Sequence, residues 1–265
     1  MSLTRRQVTT AAFAALPLAV AAGSPAFAAP GRRGPRTLYI AGDSTAAQKY
    51  ADAAPETGWG MAFPFFLHAD LEVANHAVNG RSSKSFVDEG RLDVILEAIR
   101  PGDFLLIQFG HNDEKSADPT RYTEPWTTYQ DYLRQYVDGA RARGARPVLA
   151  TSVERRKFDA DGNALPTHGD YPASMRALAE DEHVALLDIQ ALSLALWQKL
   201  GVEETKKYFN WTETEQDNTH FNPPGAIAVA RLVAAELLHR RVLTPRDVRR
   251  LDEEIPESWI TWPTA

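Results

Sequence analysis

Five short apolar runs alternate with stretches of helical period, and this alternation limits the possible folds more than any other feature of the chain. The runs fall at 38–41, at 71–73 with 77–78 close by, and at 104–109, 147–152 and 184–189. Strands separated by helices pair in parallel through right-handed crossovers, which lay helices over both faces of one sheet. The expected architecture is therefore an α/β fold, a three-layer α/β/α sandwich around a five-stranded parallel sheet. Helical patterns fill the gaps at 59–67, 92–99, 126–143, 172–181, 191–200 and 224–239. Within 126–143, Trp126, Tyr129, Leu133, Tyr136, Val137 and Ala140 recur at helical spacing and are expected on the core face. In such sheets the loops at the carboxyl ends of the strands build the ligand site. Gly42, Gly80, Gly110 and the loop after Ser152 all follow strand-like runs.

At 265 residues the chain suits one domain, since no linker divides it. Residues 1–28 read as an export signal. Thr4-Arg5-Arg6-Gln7-Val8 precedes an alanine-rich apolar stretch, and Ala26-Phe27-Ala28 has the small-x-small pattern of a signal peptidase site. Paired arginines suggest the twin-arginine route, with Val8 where that pattern usually has Phe; an ordinary secretory leader is the alternative. The apolar stretch is shorter than the ~20 residues a bilayer span needs, so no membrane attachment is expected once the leader is removed. Residues 29–36 read as a disordered lead-in, 37–240 as the folded domain, and 241–265 as a tail that packs back on it through Trp259 and Trp262. Within the tail, 245–252 is a short charged helix candidate.

Composition excludes several classes of function. The net charge of −6, with no long basic run, argues against nucleic-acid binding. Cysteine is absent, which removes disulfides and thiolate chemistry. No spacing of metal-ligating residues matches a zinc motif, so neither metal nor cofactor is expected. Oligomeric state is not readable from the chain.

The first apolar run ends in Gly42-Asp43-Ser44-Thr45, where glycine permits a sharp turn and a serine is delivered at the strand end. Ser44 is the candidate nucleophile, with its own N–H free to face a developing oxyanion at the start of a helix. A serine needs a base and a group to orient that base. His220 in Asp217-Asn218-Thr219-His220 is the candidate base, and Asp217, three residues earlier on a loop or turn, can reach its Nδ1. Gly80 in Asn79-Gly80-Arg81 and Asn112 in Gly110-His111-Asn112-Asp113 are candidate oxyanion donors. Each piece alone also reads as ordinary local structure: a helix cap at Asp43 or Ser44, a turn at Asn79-Gly80, an Asx turn at Asn112, a capped turn at Asp217.

Taken together, Gly42-Asp43-Ser44, Gly80, Gly110-x-Asn112-Asp113 and Asp217-x-x-His220 resemble, in order and spacing, the four sequence blocks of the SGNH (GDSL-like) hydrolases. The resemblance spans nearly the whole mature chain. It implies a flavodoxin-like sheet, a Ser44–His220–Asp217 triad, and an oxyanion hole built from Ser44, Gly80 and Asn112. Thr45 in Gly-Asp-Ser-Thr, Asn79-Gly80-Arg81-Ser82-Ser83 and Asp217-Asn218-Thr219-His220-Phe221 are similar to the rhamnogalacturonan acetylesterases, carbohydrate esterase family twelve. That resemblance implies an acetylated polysaccharide as substrate, with acetylxylan or small esters as an alternative. A non-catalytic carbohydrate-binding protein is the reading from another class. For an acidic polymer, Arg81, Lys84, Arg155, Arg156 and Lys157 are candidate contacts, the arginines suiting carboxylates best. Trp59 and Trp211 are candidate sugar-stacking surfaces.

Overall fold

A computed structural model describes residues 35–264. The expected leader and the part of the expected lead-in up to residue 34 lie outside the described residues. Strand β1 (Arg36–Gly42) begins within the expected lead-in, because the Arg36 guanidinium is pinned by Asp247. With β2 (Leu71–Asn75), β3 (Phe104–Gln108), β4 (Arg146–Ala150) and β5 (Ala185–Leu187) it forms one parallel sheet in the order β2-β1-β3-β4-β5. The expected three-layer sandwich is what forms.

Side chains alternate across the sheet with period two, and each face seeds its own core. Leu38, Ile40, Phe104, Leu106, Val148 and Ala150 face one cluster, which Trp197 of helix α6 (Ile189–Thr205) and Ala226, Val229 and Val233 of α7 (Pro223–His239) complete. Tyr39, Ala41, Leu105, Ile107 and Leu149 face the other, completed by α3 (Arg91–Ala98), α4 (Gln130–Ala142) and α5 (Tyr171–Asp181). Every residue of β3 is buried, as a central parallel strand covered on both faces requires.

β2 and β3 both pair with β1, one on each side, so the direction of strand addition reverses between β1 and β3 and the loops leaving their carboxyl ends diverge around a crevice. The Ser44 turn leaves β1 at this crevice, and the His111-Asn112 loop leaves β3 beside it.

Several local expectations are corrected. Helix α1 covers only Trp59–Ala62, because Pro64 turns the following Phe63–Phe66 segment into a 3-10 helix. The turn before α4, Pro125–Tyr129, is wound as a π-helix, and it leaves Trp126 half exposed, with Nε1 donating to Asp170 rather than packing in the core. Helix α6 runs past the expected end through a kink at Gly201, whose φ of 77° suits glycine. No helix forms at 245–252. There Asp247 takes bonds from Thr244 N and Oγ1, and Val248 bridges Leu67 in antiparallel fashion. In the tail, Trp262 Nε1 donates to Glu56 O at 2.8 Å, and Trp259 lies edge-on to Phe65.

Candidate active site

Gly42 ends β1 so close to β3 that a Cβ there would stand 3.2 Å from Gln108 O. Beyond it the chain makes a single turn, with Ala46 and Ala47 N–H both donating to Asp43 O. Ser44 therefore sits in a tight turn and not at a helix start, since α1 begins only at Trp59. The turn is held from within. The buried Asp43 carboxylate accepts Thr45 N at 2.9 Å, Thr45 Oγ1 at 2.7 Å and Gln108 Nε2 at 3.3 Å, and lies 3.3 Å from His111 Nδ1. Burial works to raise the Asp43 pKa, but His111 and the Thr45 donors outweigh it and keep the group ionised. Burial also lowers His111, so that ring is neutral at pH 7 and the pair carries one negative charge.

His220 and Asp217 do not lie on a loop. They sit on β7 (Gln216–Phe221), which pairs antiparallel with β6 (Phe209–Trp211) as a two-stranded ribbon outside the main sheet. Phe209 and Phe221 are buried against Trp197 and anchor the ribbon in the core. Asp217 Oδ2 lies 2.7 Å from His220 Nδ1, while its Oδ1 takes Thr219 N at 2.6 Å and His220 N at 3.0 Å. Burial pushes the Asp217 carboxyl up, yet the His220 ring and these backbone donors prevail and hold it at about 2. An ionised Asp217 fixes the proton on Nδ1, which leaves Nε2 as an acceptor. Nε2 is 2.9 Å from Ser44 Oγ, although 176 residues separate the two in the chain.

Gly80 adopts φ +76°, a backbone state that glycine occupies without strain. Its loop is tied to β1 through Val78 N–H to Gly42 O at 3.0 Å, and to the buried Lys49, whose Nζ donates to Asn79 Oδ1 at 2.6 Å. Asn112 is buried, and one of its amide hydrogens goes to Arg81 O at 3.0 Å, which joins the loops after β2 and β3 next to Gly80. Its second amide hydrogen makes no hydrogen bond among the described residues. Behind it, Asp113 accepts Ser83 N and Thr123 Oγ1 and ties this loop to α2 (Ser83–Asp88). At Gly110 any Cβ would collide with Ser152 Oγ.

The expected substrate contacts fare differently. Trp59 is 1% exposed and donates Nε1 to Gln108 Oε1, so it is core and offers no stacking face. The Trp211 ring is covered by Arg156 at 4.5 Å and Lys206 at 5.3 Å. Arg156 is turned inward, donating to Asn218 Oδ1 and Val202 O, where it braces β7. Arg155 is paired with Glu114, and Arg81 with Glu89 at 3.0 Å. Lys84 Nζ donates to Pro119 O at 2.7 Å and has no ion pair among the described residues. Among residues the sequence reading passed over, Lys49, His111 and Arg121 lie at the site; only His111 carried a signal, its place in the Gly110–Asp113 motif. Among the described residues no group of three or more His, Cys, Asp or Glu is placed to hold a metal ion.

A hydroxyl, an imidazole acceptor and a carboxylate in one hydrogen-bonded line, at the switch point of a parallel sheet, suit acyl transfer through a serine. Fold and site together are those of an α/β/α hydrolase of the SGNH type. A family model described as the GDSL-like Lipase/Acylhydrolase family matches residues 40–226, and the chain belongs to that family. It is 44% identical over 209 residues to a rhamnogalacturonan acetylesterase of Bacillus subtilis (strain 168), covering 76% of this chain and 88% of the relative. A probable rhamnogalacturonan acetylesterase of the same organism is 45% identical over 197 residues, covering 74% and 90%. The crystal structure of the Bacillus subtilis protein YxiM aligns with a TM-score of 0.71 at 31% identity, covering 78% of this chain but only 57% of the longer neighbour.

Proposed function

We propose that the protein is an exported serine esterase that removes acetyl groups from pectic polysaccharide, rhamnogalacturonan above all, through an acetyl-Ser44 intermediate. The hydrogen-bonded line from Asp217 through His220 to Ser44 carries this reading, and the names of the relatives supply the substrate class. His220 Nε2 takes the Ser44 proton as Oγ attacks the acetyl carbonyl. The Ser44 and Gly80 N–H groups and the free Asn112 amide hydrogen face the resulting oxyanion. As the acyl C–O bond breaks, His220 gives the proton to the departing sugar oxygen, which leaves as a hydroxyl, and water repeats the sequence on the acetyl-enzyme to release acetate. Export rests on the paired Arg5-Arg6 and the Ala26-Phe27-Ala28 pattern.

The test is acetate release from acetylated rhamnogalacturonan, homogalacturonan and xylan, by wild type and by Ser44→Ala. Fastest release from rhamnogalacturonan, abolished in the variant, is expected. A preference for xylan would overturn the substrate, and full activity in Ser44→Ala would overturn the mechanism.

A further inference from the structure

The loop after β3 continues past Asn112 into a turn organised by Asp118. Its Oδ1 takes Thr120 N at 3.0 Å, its backbone O takes Arg121 N and Tyr122 N, and its Oδ2 takes Arg121 Nε at 2.6 Å. Asp118 thereby grips the guanidinium from the rear. The two terminal nitrogens donate no hydrogen bond to the described residues, and one of them, Nη1, lies 3.7 Å from where a Cβ on Gly80 would stand. An open groove of about 680 Å³ starts there, lined by Gly80, Arg81, Lys84 and Arg121 with Asp88 and Glu89. Glu89 is already engaged by Arg81 and Arg91.

Lys115 lies on the same loop, exposed and without a hydrogen bond or ion pair to its ammonium among the described residues. Partial desolvation, followed by the Arg121 and Arg155 charges, lowers its pKa, while Glu114 and the Asp43 carboxylate behind Ser44 pull the other way. Cations thus crowd the rim of the site in a protein whose net charge is −6. Like charges held together without enough counter-charge oppose folding, and they attract an anionic ligand. A guanidinium fixed through Nε still presents two parallel N–H donors, the geometry that a carboxylate matches.

We propose that Arg121, assisted by Lys115, forms a carboxylate subsite beside Gly80 that takes a uronate carboxyl of the polymer whose acetyl ester lies at Ser44. This rests on the pectic reading above and adds to it the residues that recognise the acid. Arg81, Arg155 and Arg156 are occupied elsewhere, so among the arginines at this rim the sensing of substrate charge falls to Arg121. Ion pairing there holds the sugar ring while its acetyl carbonyl faces the Gly80 and Asn112 donors.

The test compares acetate release from an acetylated rhamnogalacturonan oligosaccharide with free carboxylates and from its methyl-esterified, uncharged counterpart. The readout is the ratio of kcat/KM for the two substrates at low ionic strength. Loss of a charge-assisted bidentate contact is expected to lower that ratio about tenfold to a hundredfold in Arg121→Gln. Arg121→Lys should recover part of it, Lys115→Gln should give a smaller fall, and added salt should erode the wild-type preference. Lys115→Gln alters an exposed, unbonded side chain, so it carries the test if Arg121→Gln fails to fold. A ratio equal to wild type in the glutamine variants overturns the subsite and leaves the esterase reading standing. A wild type that releases acetate from neither oligosaccharide but cleaves p-nitrophenyl acetate overturns the pectic reading itself, and the subsite with it.

Discussion

Asp217 does two things at the residue scale. It orients His220 through Nδ1, and it fastens the backbone of the same segment of β7 through Oδ1. Asp217→Asn keeps the shape but no longer fixes the imidazole tautomer, and kcat is expected to fall by roughly 1,000- to 10,000-fold. The same carboxylate has a pH signature. Its folded pKa of about 2 lies below the ordinary 3.8, so its contribution to stability is complete above the unfolded value and vanishes as pH falls through the folded one. Urea melts should show a stability gap between wild type and Asp217→Asn that is constant from neutral pH to about 5, narrows below about 4 and closes only near pH 2. Asn112 also has two roles, since it bonds Arg81 O besides facing the proposed oxyanion. Asn112→Ala should cost about 1 kcal/mol of stability through that bond. It should also lower kcat by roughly 100- to 1,000-fold through the oxyanion. A fall in kcat of less than about tenfold, measured well below the melting temperature, would leave Asn112 as a purely structural tie. The Asp-x-x-His pair was legible because its members are chain neighbours. Nothing local announced Arg121, whose place beside Gly80 depends on how two loops from different strands meet.

At the scale of elements, the ribbon of β6 and β7 is the part that pattern reading missed. β6 is only three residues long, and the polar run Gln216–His220 lacks the apolar alternation that marks a half-buried strand. Its position comes from outside: Arg156 N donates to Asn218 O at 2.8 Å and Arg156 Nη1 to Asn218 Oδ1 at 3.1 Å, within the Asp-x-x-His segment itself. Arg156→Ala is therefore expected to slow the cleavage of p-nitrophenyl acetate and of an acetylated oligosaccharide by a similar factor, about tenfold to a hundredfold, because a loosened base serves every substrate equally poorly. A loss confined to the acidic oligosaccharide would return Arg156 to the role of substrate contact. Pro64 and the π-wound turn at Pro125 show the complementary limit. Helical periodicity was present in both places, but proline redirected the backbone, and Trp126, although in phase with the core residues, faces Asp170 at the surface.

The whole molecule is governed by its sheet. Leu106, wholly buried in the central strand, meets helices on one side of the sheet, and Leu106→Ala should cost about 2–5 kcal/mol, read as a lower urea midpoint with an unchanged slope. A change in slope would mean that the two cores do not unfold as one. The layers and strand count were legible in advance because a strand buried on both faces must be apolar throughout, and a parallel neighbour requires a helix between; both rules act along the chain and leave a mark in it. The Gly42-Asp43-Ser44 turn belongs with them, since glycine eases the close passage of β1 beside β3, where a Cβ would stand 3.2 Å from Gln108 O. What the chain alone did not decide is which charged side chains remain free. Arg81, Arg121, Arg155 and Arg156 look alike in sequence, and only folding spends three of them on Glu89, Glu114 and Asn218 while leaving the terminal nitrogens of Arg121 open. Charge partners are chosen by distances between segments remote in sequence, and no local pattern encodes those distances.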